Sequence, residues 1–158
     1  MAIPAFLLFL LLQTMSATDV EDPVAPYAMA DANAGAHPFT GHRLLEAFHG
    51  RAGIDRVVDD LVMTSQADRR IGDIFKGQDM IRLRRTLKEQ FCYLLGGGCA
   101  YSGRDMATAH RDLGLQAKDM NALVDNLQAA MRREGVAFAA QNALLSKLAP
   151  MKRDIVTR

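Results

Sequence analysis

Downstream of residue 50 the chain has one histidine, His110, set in Met106-Ala107-Thr108-Ala109-His110-Arg111. A neutral imidazole can ligate a transition metal through one ring nitrogen, provided the other donates to an acceptor that fixes the tautomer. Standing alone, such a residue is more often an ordinary core or surface histidine, so its surroundings must decide. The remaining histidines are His37, His42 and His49; their spacing is irregular and His37 lies in a Pro-containing stretch, a poor zinc pattern. Cys92 and Cys99 flank Gly96-Gly97-Gly98, and their spacing matches no standard zinc motif either. No carboxylate dyad, nucleophile with a paired base, or phosphate-cradling glycine loop offers another enzyme chemistry. Nineteen Lys and Arg against eighteen Asp and Glu leave a net charge of +1. That balance gives no field for nucleic acid, and no basic stripe carries interleaved aromatics.

The elements that must position His110 read as helices. Ile54, Val57, Val58, Leu61 and Val62 follow the i, i+3, i+4, i+7, i+8 rhythm of one apolar helix face, with Asp55, Arg56, Asp59 and Asp60 on the other. A second stripe runs Met80, Leu83, Leu87, Phe91, Leu94, with Arg82, Arg84, Arg85 and Lys88 off it, and the triple glycine stops it. Arg85 and Glu89 are placed for an i, i+4 pair. Met120, Leu123, Val124, Leu127 and Met131 form a third stripe, predicted to start on Asp119 as N-cap and to close at Gly135. The last helix is predicted from Phe138 toward Ile155, broken or kinked at Pro150. No stretch alternates with period two for long enough to make a convincing strand, so the fold class is all-α. Residues 100–115, which carry His110, are polar and short of apolar anchors, which is unusual in a small bundle.

With 158 residues the chain has room for one core. Residues 1–40 contain no Lys or Arg and four acids, Asp19, Glu21, Asp22 and Asp31. Residues 1–18 begin with an uninterrupted apolar run from Ala2 to Leu12. This is the length of a secretory h-region and too short to span roughly 30 Å of hydrocarbon. No Lys or Arg precedes it, and Met15-Ser16-Ala17 is an unusual cleavage exit. These two features count against a cleaved signal, whereas the length of the run favours one; export to the periplasm is expected if residues 1–17 are a signal peptide, with a retained membrane-contacting anchor or a cytoplasmic protein as alternatives. Residues 19–40, with three prolines, small residues and acids, read as a flexible connector. The folded domain is expected over 41–158.

Four segments carry a resemblance when taken in order: AGIDRVVDDLV at 52–62, IFKGQDMIRLRRTL at 74–87, GGGCAYSGRDMATAHRDLGL at 96–115 and LAPMKRDIV at 148–156. From about Leu44 to Val156 the chain resembles the truncated globins, the shortened haem-binding fold with two helices packed over two, and in particular the bacterial group I type. The resemblance implies that His110 is the proximal ligand of haem iron and that Phe75 packs flat on the porphyrin. Val62, Leu83 and Leu87 fall on distal positions, and Tyr101 on an aromatic beside the haem edge. Porphyrin is a flat apolar surface with two carboxylates. Met80, Leu83, Leu87 and Phe91 beside Arg82 and Arg85 have the character its slot requires, and residues 100–115 would then pack on haem. No C-x-x-C-H is present, so the cofactor implied is haem b.

The implied function is reversible binding of a diatomic gas, oxygen, nitric oxide or carbon monoxide, at a pentacoordinate iron. Transport, sensing or nitric oxide oxidation are the accompanying roles, and an unidentified reductase is the electron-donating partner. The competing class is a helical sensor or interaction module that kept the globin shape and lost haem, which gives no physical reason to retain His110. Oxygen-avid relatives usually place a tyrosine, and often a glutamine, on the distal face; here those positions are Val62 and Leu87. Losing a hydrogen bond to a charge-bearing acceptor, worth about 1.5–3 kcal/mol, would weaken oxygen binding roughly 10- to 150-fold against such relatives. Thr86, Gln90 and Tyr93 are the nearest polar residues on that helix. Gly50-Arg51-Ala52-Gly53 stands where the family has a Gly-Gly pair. Similar paired cysteines occur in some relatives; Cys92 and Cys99 are expected as a disulfide if the protein is exported and as thiols if it is cytosolic.

Overall fold

The computed structural model describes residues 20–156, and among these there is no strand. The helices are α1 (Arg43–Ala47), α2 (Gly50–Ala67), α3 (Met80–Leu94), α4 (Met106–His110), α5 (Ala117–Arg133), α6 (Phe138–Leu148) and α7 (Lys152–Ile155). The predicted stripe of α2 is buried throughout. α3 starts on Asp79, whose Oδ1 accepts the Arg82 N–H at 2.9 Å, satisfying one of the orphan donors of a helix start. It stops before Gly96, whose φ of +80° suits glycine. A Cβ there would also lie 2.3 Å from the Gly41 carbonyl oxygen.

The start of α5 differs from expectation. Asp119 lies inside the helix, with Gln116 as the N-cap, and its Oδ2 accepts the Gln116 N–H at 2.9 Å. Asp119 thus occupies the third helical position of a capping box, which the apolar stripe alone does not distinguish from the cap itself. Pro150 breaks the last helix as its missing N–H requires: α6 ends at Leu148, a 3-10 turn spans Ala149–Met151, and α7 follows.

α2 packs against both α3 and α5, α3 meets α6, and α4 rests on α7, an arrangement of two helices over two. Phe48, Phe91, Leu94, Met131 and Leu144 fill the interior. Cys92, near the end of α3, is disulfide-bonded to Cys99 across the glycine turn, with Cα atoms 5.7 Å apart.

The segment expected to be a flexible connector packs on the domain. Residues Asp31–Ala34 form a 3-10 turn that buries Ala34 completely in the core. Gln90 Nε2 donates to the Ala34 carbonyl at 2.9 Å, Phe39 N–H to the Leu94 carbonyl at 2.9 Å, and Tyr27 Oη to the Ser102 carbonyl at 2.7 Å. These are single contacts without a repeating apolar stripe, so periodicity gave no sign of them. The predicted leader over 1–18 lies outside the described residues. No helix among the described residues is long and apolar enough to cross a membrane.

Candidate ligand cavity and its histidine

His110 ends α4, a short helix started by Asp105, whose Oδ1 accepts the Thr108 N–H at 2.9 Å. The ring Nδ1 of His110 lies 2.8 Å from the Met106 carbonyl oxygen one turn earlier. A carbonyl only accepts, so Nδ1 carries the hydrogen and Nε2 keeps its lone pair. Burial pushes the imidazole pKa below its ordinary value, against the opposing pull of the Met106 carbonyl. At neutral pH the ring is therefore an uncharged base with one nitrogen fixed and the other available.

The ring faces a cavity of about 550 Å³, within the usual range of roughly 300–1,000 Å³ for small-molecule sites. Eight of the ten residues singled out from the sequence for the slot line it: Val62, Phe75, Arg82, Leu83, Leu87, Phe91, Tyr101 and His110. Met80 does not. As the first residue of α3 it packs against the hydrophobic core, while Gln78, Asp79 and Arg82 line the cavity at that end. Met120, Leu123 and Leu127 of the third stripe and Met151 of the 3-10 turn are among the residues that complete the lining. The sequence marked the third stripe as a buried face, but periodicity does not separate a face turned to protein from one turned to a ligand.

The cations are arranged differently from the expectation that Arg82 and Arg85 flank the slot. Arg85 is off the cavity: it pairs with Glu21, donates to Ser102 Oγ and holds Glu89 at 3.0 Å. Its i, i+4 pairing with Glu89 is the one the helix spacing suggested. Arg82 lines the cavity but is shared between Glu21 at 3.3 Å and Asp79 at 3.4 Å. Arg104, which sequence reasoning did not single out, also lines the cavity, its guanidinium 5.1 Å from the Tyr27 ring centroid. It has no carboxylate partner among the described residues.

Three polar side chains on the cavity wall, Thr86, Gln90 and Ser65, are engaged elsewhere. Thr86 Oγ1 donates to the Arg82 carbonyl at 2.9 Å, and Gln90 Nε2 to the Ala34 carbonyl at 2.9 Å. Ser65, fully buried on α2, receives the Asn126 amide at 3.3 Å. Tyr93, the third polar residue noted on α3, does not line the cavity. Tyr101 is buried, its phenol pushed up to about 12 chiefly by that burial, and its Oη donates to the Arg104 carbonyl at 3.1 Å. Its ring folds over Gly103, where a Cβ would come within 2.3 Å of the ring; the Tyr-Ser-Gly sequence thus requires glycine sterically. The site combines a slot of apolar and aromatic walls, one preorganised imidazole and a cationic rim, a set suited to a flat apolar metal complex bearing carboxylates.

The bacterial-like globin family model matches residues 43–157. A group 1 truncated hemoglobin of Nostoc commune is 29% identical over 115 residues, covering 73% of this chain and 98% of the relative. One from Tetrahymena pyriformis is 30% identical over 90 residues, 57% of this chain and 74% of the relative. Among solved structures, the Fe(III) form of truncated hemoglobin from Tetrahymena pyriformis superposes with a TM-score of 0.69 at 26% identity, covering 73% of this chain and 98% of that one. The cyanomet 2/2 hemoglobin of a Synechococcus species, with covalently attached heme, gives 0.68 at 26% identity with the same coverage.

Proposed function

The chain belongs to the bacterial-like globin family, as a truncated haemoglobin of group 1, and from that premise we propose that it holds haem b through His110 and reversibly binds a diatomic gas at a pentacoordinate iron. Haem and gas binding in general come with the family. The finer reading is carried by one observation, the 2.8 Å contact of His110 Nδ1 with the Met106 carbonyl beside an apolar cavity.

When bound, haem iron supplies the open coordination position at which oxygen, nitric oxide or carbon monoxide is held. The chain does the rest. The Met106 carbonyl fixes the His110 tautomer and increases the basicity of Nε2, while burial keeps the ring uncharged. Phe75 and Tyr101 offer aromatic surface to the porphyrin. Arg104 and Arg82 at the rim would hold the cofactor's carboxylates, Arg104 having no carboxylate partner to leave among the described residues. Val62, Leu83 and Leu87 exclude water and donate no hydrogen, and the hydrogens of Thr86 and Gln90 are already engaged. Such a wall favours weakly polarised ligands over oxygen, relative to relatives with a distal tyrosine. The Cys92–Cys99 disulfide supports an exported, oxidising setting.

The test is a pyridine haemochrome assay of the purified protein together with its ferrous spectrum. A b-type haemochrome and a single broad visible band without added ligand are expected. Sharply split visible bands in the unliganded ferrous form would show a sixth protein ligand and overturn the pentacoordinate reading.

A further inference from the structure

Residues 20–27 lie N-terminal to the part of the chain that the family model matches, yet they run along the rim of the cavity and join its two walls. On the α3 side the Asp22 N–H donates to Asp79 Oδ2 at 2.8 Å, and the Asp22 carbonyl receives the Arg82 guanidinium. Glu21 is held by Arg85, through Oε2 at 2.9 Å as well as through Oε1, and by Arg82 at 3.3 Å. On the other side, the Tyr27 hydroxyl donates to the Ser102 carbonyl at 2.7 Å while its ring lies under Arg104. Val24, between these anchors, and Tyr27 itself line the cavity.

We infer that residues 20–27 are a strap across the mouth of the haem slot, with Glu21 as the positioning residue that keeps it shut and so slows haem release. This inference rests on the haem reading above. A group leaving through this rim has to part the strap from one wall. Glu21 is the anchor with the most partners, because its carboxylate takes up two guanidiniums on successive turns of α3. Salt weakens ion pairs at a partly exposed rim, whereas the Tyr27–Ser102 hydrogen bond is neutral. The two anchors are therefore separable by experiment.

Haem transfer from the full-length holoprotein to excess apomyoglobin, followed by the change in Soret absorption, reads the strap directly. Glu21→Gln should release haem about 2- to 30-fold faster than wild type, the range set by two surface-type ion pairs. Release should accelerate with ionic strength more steeply in wild type than in Glu21→Gln, whose remaining salt dependence is that of the other charges at the rim. Tyr27→Phe should also release haem faster while keeping the salt dependence. Amide hydrogen exchange of the haem-free protein gives a second reading, in which the Asp22 N–H, bonded to Asp79, is protected in wild type and exchanges faster in Glu21→Gln. Equal or slower haem release from both variants, or an Asp22 N–H whose exchange is unchanged by Glu21→Gln, overturns the inference and leaves the globin reading intact. A wild-type protein that takes up no haem overturns the globin reading instead.

Discussion

Leu87→Gln tests the idea that the gas-facing wall has no free hydrogen-bond donor. Leu87 lines the cavity from the middle of α3, and the polar side chains beside it on the same helix are occupied: Thr86 bonds the Arg82 carbonyl and Gln90 the Ala34 carbonyl, each at 2.9 Å. A glutamine at 87 is close in size to leucine and brings two N–H donors to the wall. A hydrogen bond to a charge-bearing acceptor is worth about 1.5–3 kcal/mol, which slows oxygen dissociation by roughly 10- to 150-fold. Carbon monoxide is less polarised when bound, so its dissociation should change far less. The amide also costs about 1–3 kcal/mol where it goes unpaired in the haem-free protein, which a lowered melting temperature would register. Stopped-flow replacement of oxygen by carbon monoxide gives the rate. The reasoning is refuted if Leu87→Gln and wild type release oxygen equally fast, or if the variant slows both gases alike.

Other consequences are equally open to measurement. Arg56 and His49 bracket Glu134 and hold its carboxyl well below the ordinary value, at about 2. A depressed carboxyl contributes stability that is present above its unfolded value and lost as pH falls through the folded one. Thermal melts of wild type should therefore lose about 1 kcal/mol more than Glu134→Gln between pH 4.5 and 2. The Cys92–Cys99 bridge closes a loop of sequence separation 7. Cys99→Ala or reduction should cost about 2 kcal/mol and lower the melting temperature by roughly 5–10 °C. Gly103→Ala forces a methyl into the Tyr101 ring and should cost about 1–3 kcal/mol in urea unfolding, whereas Ala at the open position Gly98 should act only through its backbone strain.

The parts of the fold legible in the sequence are those with a repeating apolar face. Ile54 to Val62 announced α2, Met80 to Leu94 with its glycine stop gave α3, and Pro150 marked the break in the last helix. What escaped has no period to read. Asp119 and Gln116 are reciprocal partners, and a stripe beginning at Met120 does not show which of them is outside the helix. The 20–40 segment is fixed by one buried alanine, Ala34, and by hydrogen bonds to residues 55 to 75 positions away, so its acids and prolines resembled a linker. The site was more legible than the strap beside it. The ordered family segments placed Val62, Phe75, Leu83, Leu87, Tyr101 and His110 on one cavity. They did not show that Glu21 draws Arg85 away from it, that Arg104 takes a place on its rim, or that Met80 turns to the core.

The central claim is that the Nε2 of His110 is the protein's bond to haem iron, and imidazole rescue of a His110→Gly variant tests it most directly. Wild type reconstituted with haemin and reduced should show a five-coordinate, histidine-ligated ferrous Soret band that shifts on adding carbon monoxide. His110→Gly should lose that ferrous signature, and added imidazole should restore it by filling the space the side chain left. A variant whose ferrous spectrum and carbon monoxide shift match wild type without imidazole would contradict the account, because the ligand would then lie elsewhere in the chain.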